Sequence, residues 1–284
     1  MKLIDLSVVV ENSPSEPMKI GIERLDWFRG AKQFCRRQLW NDHLPLKLRV
    51  RRAIEFLRGR RRLRPSDFPS QAFLSLDTVT MPTHMGTHMD APFHYGPRLD
   101  GAPPRTIDEV PLDWCYAPGV RLDLTHKRAG ETIDVSDLEA ALARTAHRLE
   151  PGHIVLIWTG TDRLWGKREY FSGAPGMNRA ATKWLVEQGI RVIGIDTYGF
   201  DRPFPAMLED FWRTGDRSHL WPAHFYGRER EYLQIERLTN LQELPSTGFY
   251  VSCFPLRMKG VDASWVRAVA IIDRDRLSTD KEEA

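Results

Sequence analysis

Residues 154–196 read IVLIWTGTDRLWGKREYFSGAPGMNRAATKWLVEQGIRVIGID, and this stretch decides the fold class. Ile154-Val155-Leu156-Ile157-Trp158 is a short unbroken apolar run, the pattern of a buried strand. Asn178 can cap a helix carrying Ala181, Trp184 and Leu185, and Gly189 lies just past its end. Arg191-Val192-Ile193-Gly194-Ile195 follows as a second buried strand that ends at Asp196. Strand, loop, helix and strand in this order predict a parallel βαβ unit. Upstream, Ser136 with Glu139 reads as a capping box ahead of Leu138, Ala141 and Leu142, with that helix ending before Pro151-Gly152. The opening KLIDLSVVVE (2–11) looks like a first strand, and Phe249–Phe254 and Val266–Ile272 like closing ones. No internal repeat or low-complexity linker appears. The expectation is one α/β domain over 1–284, a mixed sheet with flanking helices, and a charged tail after Asp273 that is poorly ordered at its end.

Bulk properties exclude several classes. The chain has 284 residues, 42% hydrophobic and 28% charged, enough apolar content for a substantial core. A formal charge of +3 gives no argument for nucleic acid. Cys35, Cys115 and Cys253 are odd in number and widely spaced, which fits reduced thiols in a cytoplasmic protein better than a disulfide scaffold. The apolar N-terminal run is short and broken by Asp5, so it is not read as a signal peptide, and no run reaches the roughly 18 apolar residues of a membrane span.

One segment departs in composition. Between Lys47 and Arg64 there are nine basic residues (Lys47, Arg49, Arg51, Arg52, Arg58, Arg60, Arg61, Arg62, Arg64) against one acid, Glu55. That local +8 leaves −5 for the rest of the chain. Val50, Ile54 and Leu57 recur at helical spacing, so a basic amphipathic helix packed by that stripe is expected. Its charge would also suit an acidic partner or an anionic substrate.

The chemistry is concentrated in residues 84–96, H-M-G-T-H-M-D-A-P-F-H-Y-G. His84 and His88 are four apart, but Pro82, Gly86 and Pro92 argue against a continuous helix. In an extended chain the even positions 84, 88, 90 and 94 would share a face. Two imidazoles and a carboxylate, His84, His88 and Asp90, are a suitable ligand set for Zn²⁺, Mn²⁺ or Fe²⁺. His94 is then free to act as a base.

H-x-G-T-H-x-D-x-P-x-H resembles the signature of the metal-dependent cyclase/hydrolase family that includes bacterial kynurenine formamidase and isatin hydrolase. The likeness extends to the opening IDLS, Trp158-Thr159-Gly160-Thr161-Asp162, GIDT at 194–197 and Phe254-Pro255-Leu256. The resemblance implies His84, His88 and Asp90 as metal ligands and His94 as the catalytic residue. It adds His224 and Glu236 as ligands of a second ion, with Asp90 bridging, so that one or two divalent ions, Zn or Mn, serve each subunit. It also implies the swivelling β/β/α fold of the family and a homodimer or homotetramer. HYGP (94–97), PLDWC (111–115), GFDRPF (199–204) and LWPAHFYGREREYLQIERL (220–238) look like second- and third-ring cyclases of aromatic polyketide pathways. Residues 19–75 then read as an inserted basic helical segment.

Two functions follow from that resemblance. The first is aldol ring closure and dehydration of a poly-ketone in polyketide antibiotic biosynthesis, with a metal-stabilised enolate, His94 as base and an acidic acyl carrier protein as partner. The alternative is amide hydrolysis of the arylformamidase or isatin hydrolase type, with metal-activated water acting on a small aromatic substrate. A carrier-binding scaffold with a vestigial site is the non-enzymatic reading. Absence of G-x-S-x-G and of G-x-G-x-x-G after a strand disfavours serine hydrolase and nicotinamide chemistry. Elsewhere, His43, His126, His147 (in a helix) and His153 (in a turn) read as structural or solvated, and His219 as a possible neighbour of the site. Asp196 ends a buried strand, where ligands gather in α/β sheets, but reads as a turn or capping carboxylate; Asp201-Arg202 reads as an ion pair, the alternative being that they orient an oxygen-rich substrate. Trp27, Phe28, Trp212 and Trp221 are candidates to line an aromatic pocket.

Overall fold

A computed structural model describes residues 1–37, 44–60 and 62–273. His43, Arg61 and the tail from 274 onward lie outside the described residues. The chain divides into two compact units, residues 1–18 with 82–284, and residues 19–81.

The larger unit holds a mixed nine-stranded sheet among the described residues. Its order is Lys2–Asp5, Val269–Ile272, Phe249–Ser252, Tyr116–Asp123, Ile154–Trp158, Val192–Ile195, Leu233–Glu236, His88–Asp90 and Ala263–Trp265. The four central strands, from Tyr116–Asp123 to Leu233–Glu236, run parallel, and the strands on either side pair antiparallel. The α/β expectation holds, and the βαβ reading of 154–196 with it.

Alternation explains why the two middle strands, Ile154–Trp158 and Val192–Ile195, are apolar throughout. Ile154 and Leu156 face a core shared with Ile4, Leu233, Ile235 and Phe249. Val155 and Ile157 face a second core with Leu138, Ala141, Ala181 and Leu185 from the helices Val135–Ala143 and Arg179–Glu187. A strand packed between two apolar cores has no partner to offer a polar side chain. Gly194 is required by the same packing, because a Cβ there would come within 2.6 Å of Leu238 Cδ1 and 2.9 Å of Leu156 Cδ2.

Helix boundaries follow local capping. Asn178 accepts from the Ala181 N–H at 2.8 Å, as its spacing predicts, and Gly189 closes the helix with φ +86°. The earlier helix begins differently from the sequence reading. Its cap is Asp134, not Ser136: the Asp134 carboxylate accepts from Asp137 N and the Asp137 side chain from Asp134 N, while the Ser136 hydroxyl bonds back to Asp134. Two carboxylates outcompete the hydroxyl for the free N–H groups. That helix ends at Ala143, so His147 lies outside it, just past the turn that follows, and stacks on His153 at 5.4 Å.

The 19–81 unit pairs Gly21–Leu25 with Leu76–Thr80 and carries the helices Trp27–Arg37 and Leu46–Leu57. Phe34, Phe68 and Phe73 form its aromatic cluster, with ring centroids 4.6–6.1 Å apart. The basic helix exists, but its stripe is not packed: Val50, Ile54 and Leu57 are 51%, 43% and 83% exposed, and no residue of the helix is buried. The buried apolar residues of this unit, Ile20 and Ala31, lie outside that helix. No described helix is long and apolar enough to cross a membrane.

At the carboxyl ends of the parallel strands, Asp196 ties two neighbours together. Its buried carboxylate accepts from Thr159 N (2.9 Å), Thr159 Oγ1 (2.7 Å) and Thr161 N (3.1 Å). Asp196→Asn would turn an amide NH₂ toward a backbone N–H, and a cost of about 2 kcal/mol is expected in urea denaturation.

Candidate metal centre

The site is assembled by register and by turns. Residues 88–90 pair antiparallel with 234–236, which sets His88 opposite Glu236 and Asp90 opposite Gln234. Period-two alternation then puts His88, Asp90 and Glu236 on one face. His84 and His94 are not in that strand. His84 lies in a turn, and His94 in the 3₁₀ turn Pro92–Tyr95. The shared-face reading of 84, 88, 90 and 94 thus holds for 88 and 90 only, because Gly86 at φ +65° and Pro92 bend the chain on either side. The four side chains converge by these bends. Gly86 is also sterically required, since a Cβ would come within 2.8 Å of Val10 Cγ2.

Asp90 is the centre of the cluster. Its Oδ1 is 2.9 Å from His84 Nδ1 and 3.4 Å from His88 Nε2, and its Oδ2 is 3.8 Å from His224 Nε2. Glu236 lies 3.5 Å from His88 Nε2 and 3.7 Å from His224 Nε2. Ligand atoms of His84, His88 and Asp90 fall within 4.8 Å of one another, as do those of Asp90, His94 and His224. Both oxygens of Asp90 and Nε2 of His88 are buried without a properly aligned hydrogen bond. Polar atoms left so in an interior are costly, and a cation would compensate them.

The far nitrogen of each candidate ligand imidazole is tied down. His88 Nδ1 is 2.8 Å from the Gly86 carbonyl oxygen, His224 Nδ1 is 2.5 Å from Asp201 Oδ2, and His84 Nε2 is 3.0 Å from Asp262 Oδ2. With those nitrogens donating, the opposite lone pairs face Asp90 and Glu236, the arrangement that orients histidines around a metal. The residues fit a divalent cation.

Electrostatics agree. Burial alone would push the Asp90 carboxyl up, but the imidazoles of His88, His94 and His84 outweigh it and hold it well below the usual range. Burial lowers His84 and His224, yet their carboxylate partners raise each to about 9. Burial and the neighbouring Asp90 push Glu236 up. His94 differs: burial lowers it, and His224 and His84 act in the same direction against the pull of Asp90 and Asp262. A cluster that draws protons onto two imidazoles is one that a cation would occupy with release of those protons.

Three participants are not placed here by sequence reasoning. Asp262 contacts His84 and lies 3.6 Å from His94 Nδ1. Asp201 serves His224 and not Arg202, which pairs with Asp210; the expected Asp201–Arg202 pair does not form. Glu16 accepts from Gly86 N (2.8 Å) and from Arg237 Nη1 (2.7 Å), linking the histidine loop to the residue after Glu236. No local pattern marks any of these. Of the aromatic candidates, Trp221 lines a cavity beside His224, whereas Trp27, Phe28 and Trp212 are exposed.

Comparison with known proteins gives the family and the fold. The family model "Cyclase: Putative cyclase" matches residues 4–202. The chain is 23% identical over 201 residues to cyclase-like protein 2 of Oryza sativa subsp. japonica, covering 69% of this chain and 65% of that protein, slightly under two thirds of its length. It is 27% identical over 198 residues to the kynurenine formamidase of Delftia acidovorans, covering 69% of this chain and 79% of that one. An isatin hydrolase crystal structure with the product analogue thioisatinate superposes with a TM-score of 0.69 at 18% identity, over 96% of this chain and 93% of that one, a likeness of fold.

Two outcomes are expected. Glu16→Gln removes one side of a buried ion pair and should cost about 3 kcal/mol in chemical denaturation. Added Zn²⁺ or Mn²⁺ should raise the melting temperature of the metal-free protein, and Asp90→Asn should abolish that rise, as differential scanning calorimetry would show.

Proposed function

This chain belongs to the cyclase family, and from that premise we propose that it is a metal-dependent hydrolase cleaving an amide-type C–N bond of a small carbonyl substrate. The observation that carries the reading is the buried Asp90 carboxylate, lacking aligned hydrogen bonds and faced by imidazoles whose other nitrogens are already engaged. The hydrolase names of two relatives, kynurenine formamidase and isatin hydrolase, favour hydrolysis over aldol ring closure, which would draw on the same residues.

His84, His88 and Asp90 would hold one divalent cation, and His224 and Glu236, on the other oxygen of Asp90, a second. Zn²⁺ and Mn²⁺ suit such a donor set. When bound, such an ion supplies Lewis acidity that polarises a carbonyl and lowers the pKa of water. The chain's own contribution is proton traffic and orientation. The neutral imidazole of His94 accepts a proton from the water that adds to the carbonyl carbon. Asp262, 3.6 Å from His94 Nδ1, stabilises the resulting imidazolium. His94 then returns the proton to the leaving nitrogen as the C–N bond breaks, so an acid and an amine are released and the base is restored. Asp201 and Asp262 keep His224 and His84 in the tautomers that face the centre.

Metal-loaded protein is expected to hydrolyse isatin or N-formylkynurenine, and His94→Ala to lower kcat/KM at least ~100-fold. The acid limb of kcat/KM should lie below the ordinary imidazole value of 6.5, because His94 is shifted downward and a nearby cation acts in the same direction. Full metal occupancy without turnover of either substrate would remove the hydrolytic reading; ring closure of a poly-ketone by the same preparation would replace it.

A further inference from the structure

Beside His224 lies a cavity of about 300 Å³, bordered by Phe171, Tyr198, Phe204, Met207 and Trp221. That volume is at the low end of the roughly 300–1,000 Å³ range of small-molecule sites, enough for one or two rings. Apart from His224, which faces the metal centre, its charged lining residues are Asp201 and Arg202, and both are already neutralised. Asp201 is engaged with His224 and with Ala223 N, while Arg202 is engaged with Asp210 and the Gly130 carbonyl. Neither is left to pair with a charged ring substituent.

Trp221 is the unusual member of this wall. Its backbone is left-handed, φ +46° and ψ +50°, and it precedes Pro222. A bulky residue rarely adopts that conformation, and a following proline does not relieve it. The local duties of the position do not need an indole. Trp221 N–H meets Met207 Sδ at 3.3 Å, and its carbonyl accepts from Phe225 N at 2.9 Å to open the short helix that carries His224. Glycine would perform both without strain. Nor does the indole fill a core. Its ring neighbours, Phe204 at 5.4 Å and Phe225 at 6.3 Å, are themselves 51% and 38% exposed. Trp221 is half-buried and belongs to neither hydrophobic core, and strain retained for so partial a packing return points to a ligand contact.

We propose that Trp221 is a specificity-determining residue that stacks on a flat, uncharged ring system of one or two rings, seated in this cavity with its acyl group toward His224. The inference rests on the hydrolytic reading only for the placement of that acyl group. The indole supplies a rigid π-face, and Phe204 and Tyr198 give the cavity further aromatic surface.

The test uses oxindole, a neutral two-ring lactam, titrated calorimetrically into the metal-loaded protein. Trp221→Gly is the variant of choice, because glycine accepts the left-handed backbone and the protein should melt at or above the wild-type temperature. Trp221→Gly and Trp221→Ala are each expected to weaken oxindole binding at least tenfold, with metal content unchanged. Oxindole-5-sulfonate should bind the wild type at least tenfold more weakly than oxindole. Equal oxindole affinity in wild type and Trp221→Gly, no binding to wild type, or a marked fall in the melting temperature of Trp221→Gly would each overturn the proposal. A protein that binds oxindole through Trp221 but hydrolyses no amide removes the hydrolytic reading and keeps this one. Isatin hydrolysis with an unchanged KM in Trp221→Gly does the reverse.

Discussion

A carboxylate with no aligned hydrogen bond at the centre of the larger unit is the constraint on which the rest of this architecture depends. Asp90 is fully buried on a strand, yet both of its oxygens lack aligned donors. Removing such a group from water costs several kcal/mol unless charge compensates it. The fold answers with three imidazoles aimed at it and with outer carboxylates that fix those imidazoles. Asp201 and Asp262 stand behind His224 and His84, and the Gly86 carbonyl stands behind His88. Positive charge is thereby invited to one point, and the side chains that could have neutralised Asp90 by ordinary hydrogen bonding are held in another role.

Holding that point requires distant segments to keep register. His88 and Glu236 are joined by a β-ladder, which is rigid, but His84 depends on a glycine turn. Glu16 closes the gap by taking the Gly86 N–H and the Arg237 guanidinium together. Arg237 itself is left-handed at φ +60° and lies over Tyr198 at 4.3 Å. Such conformations cost of order 1–3 kcal/mol each and persist only where neighbours enforce them. The enforcement here is a buried ion pair, which adds little to stability but fixes geometry once formed.

Much of the fold was legible because its signals are local. Ile154–Trp158, the Asn178 cap and Gly189 each act within a few residues, and each is found where the pattern places it. The cap of the preceding helix was misread because a hydroxyl and a carboxylate two residues apart compete for the same N–H groups, and periodicity does not rank them. The contiguous part of the site was equally legible: His84, His88, Asp90 and His94 fall within eleven residues. His224 and Glu236 came from family likeness, since their nearness to Asp90 is a matter of strand order. Asp262, Asp201 and Glu16 carried no signal at all. Their partners lie 178, 23 and 70 residues away in sequence, and only tertiary structure relates them. The exposed stripe of the basic helix was missed for the converse reason, because amphipathic spacing shows that a face could be buried and not that anything covers it.

The placement of strain separates what the site does from what it acts on. His88, Asp90 and Glu236 stand on paired strands, where a shift of register would displace all three at once. The cavity wall stands on short helices and turns, Phe204–Thr214 and Pro222–Tyr226, whose side chains can change without disturbing the ladder. His224 belongs to both, facing the centre through Nε2 and bordering the cavity. The left-handed Trp221, three residues earlier, opens the helix that carries it. A substitution at Trp221 therefore acts on the cavity directly and on His224 only through the start of a helix that glycine can also open. The histidine–carboxylate centre and the cavity wall are in this way mechanically separable.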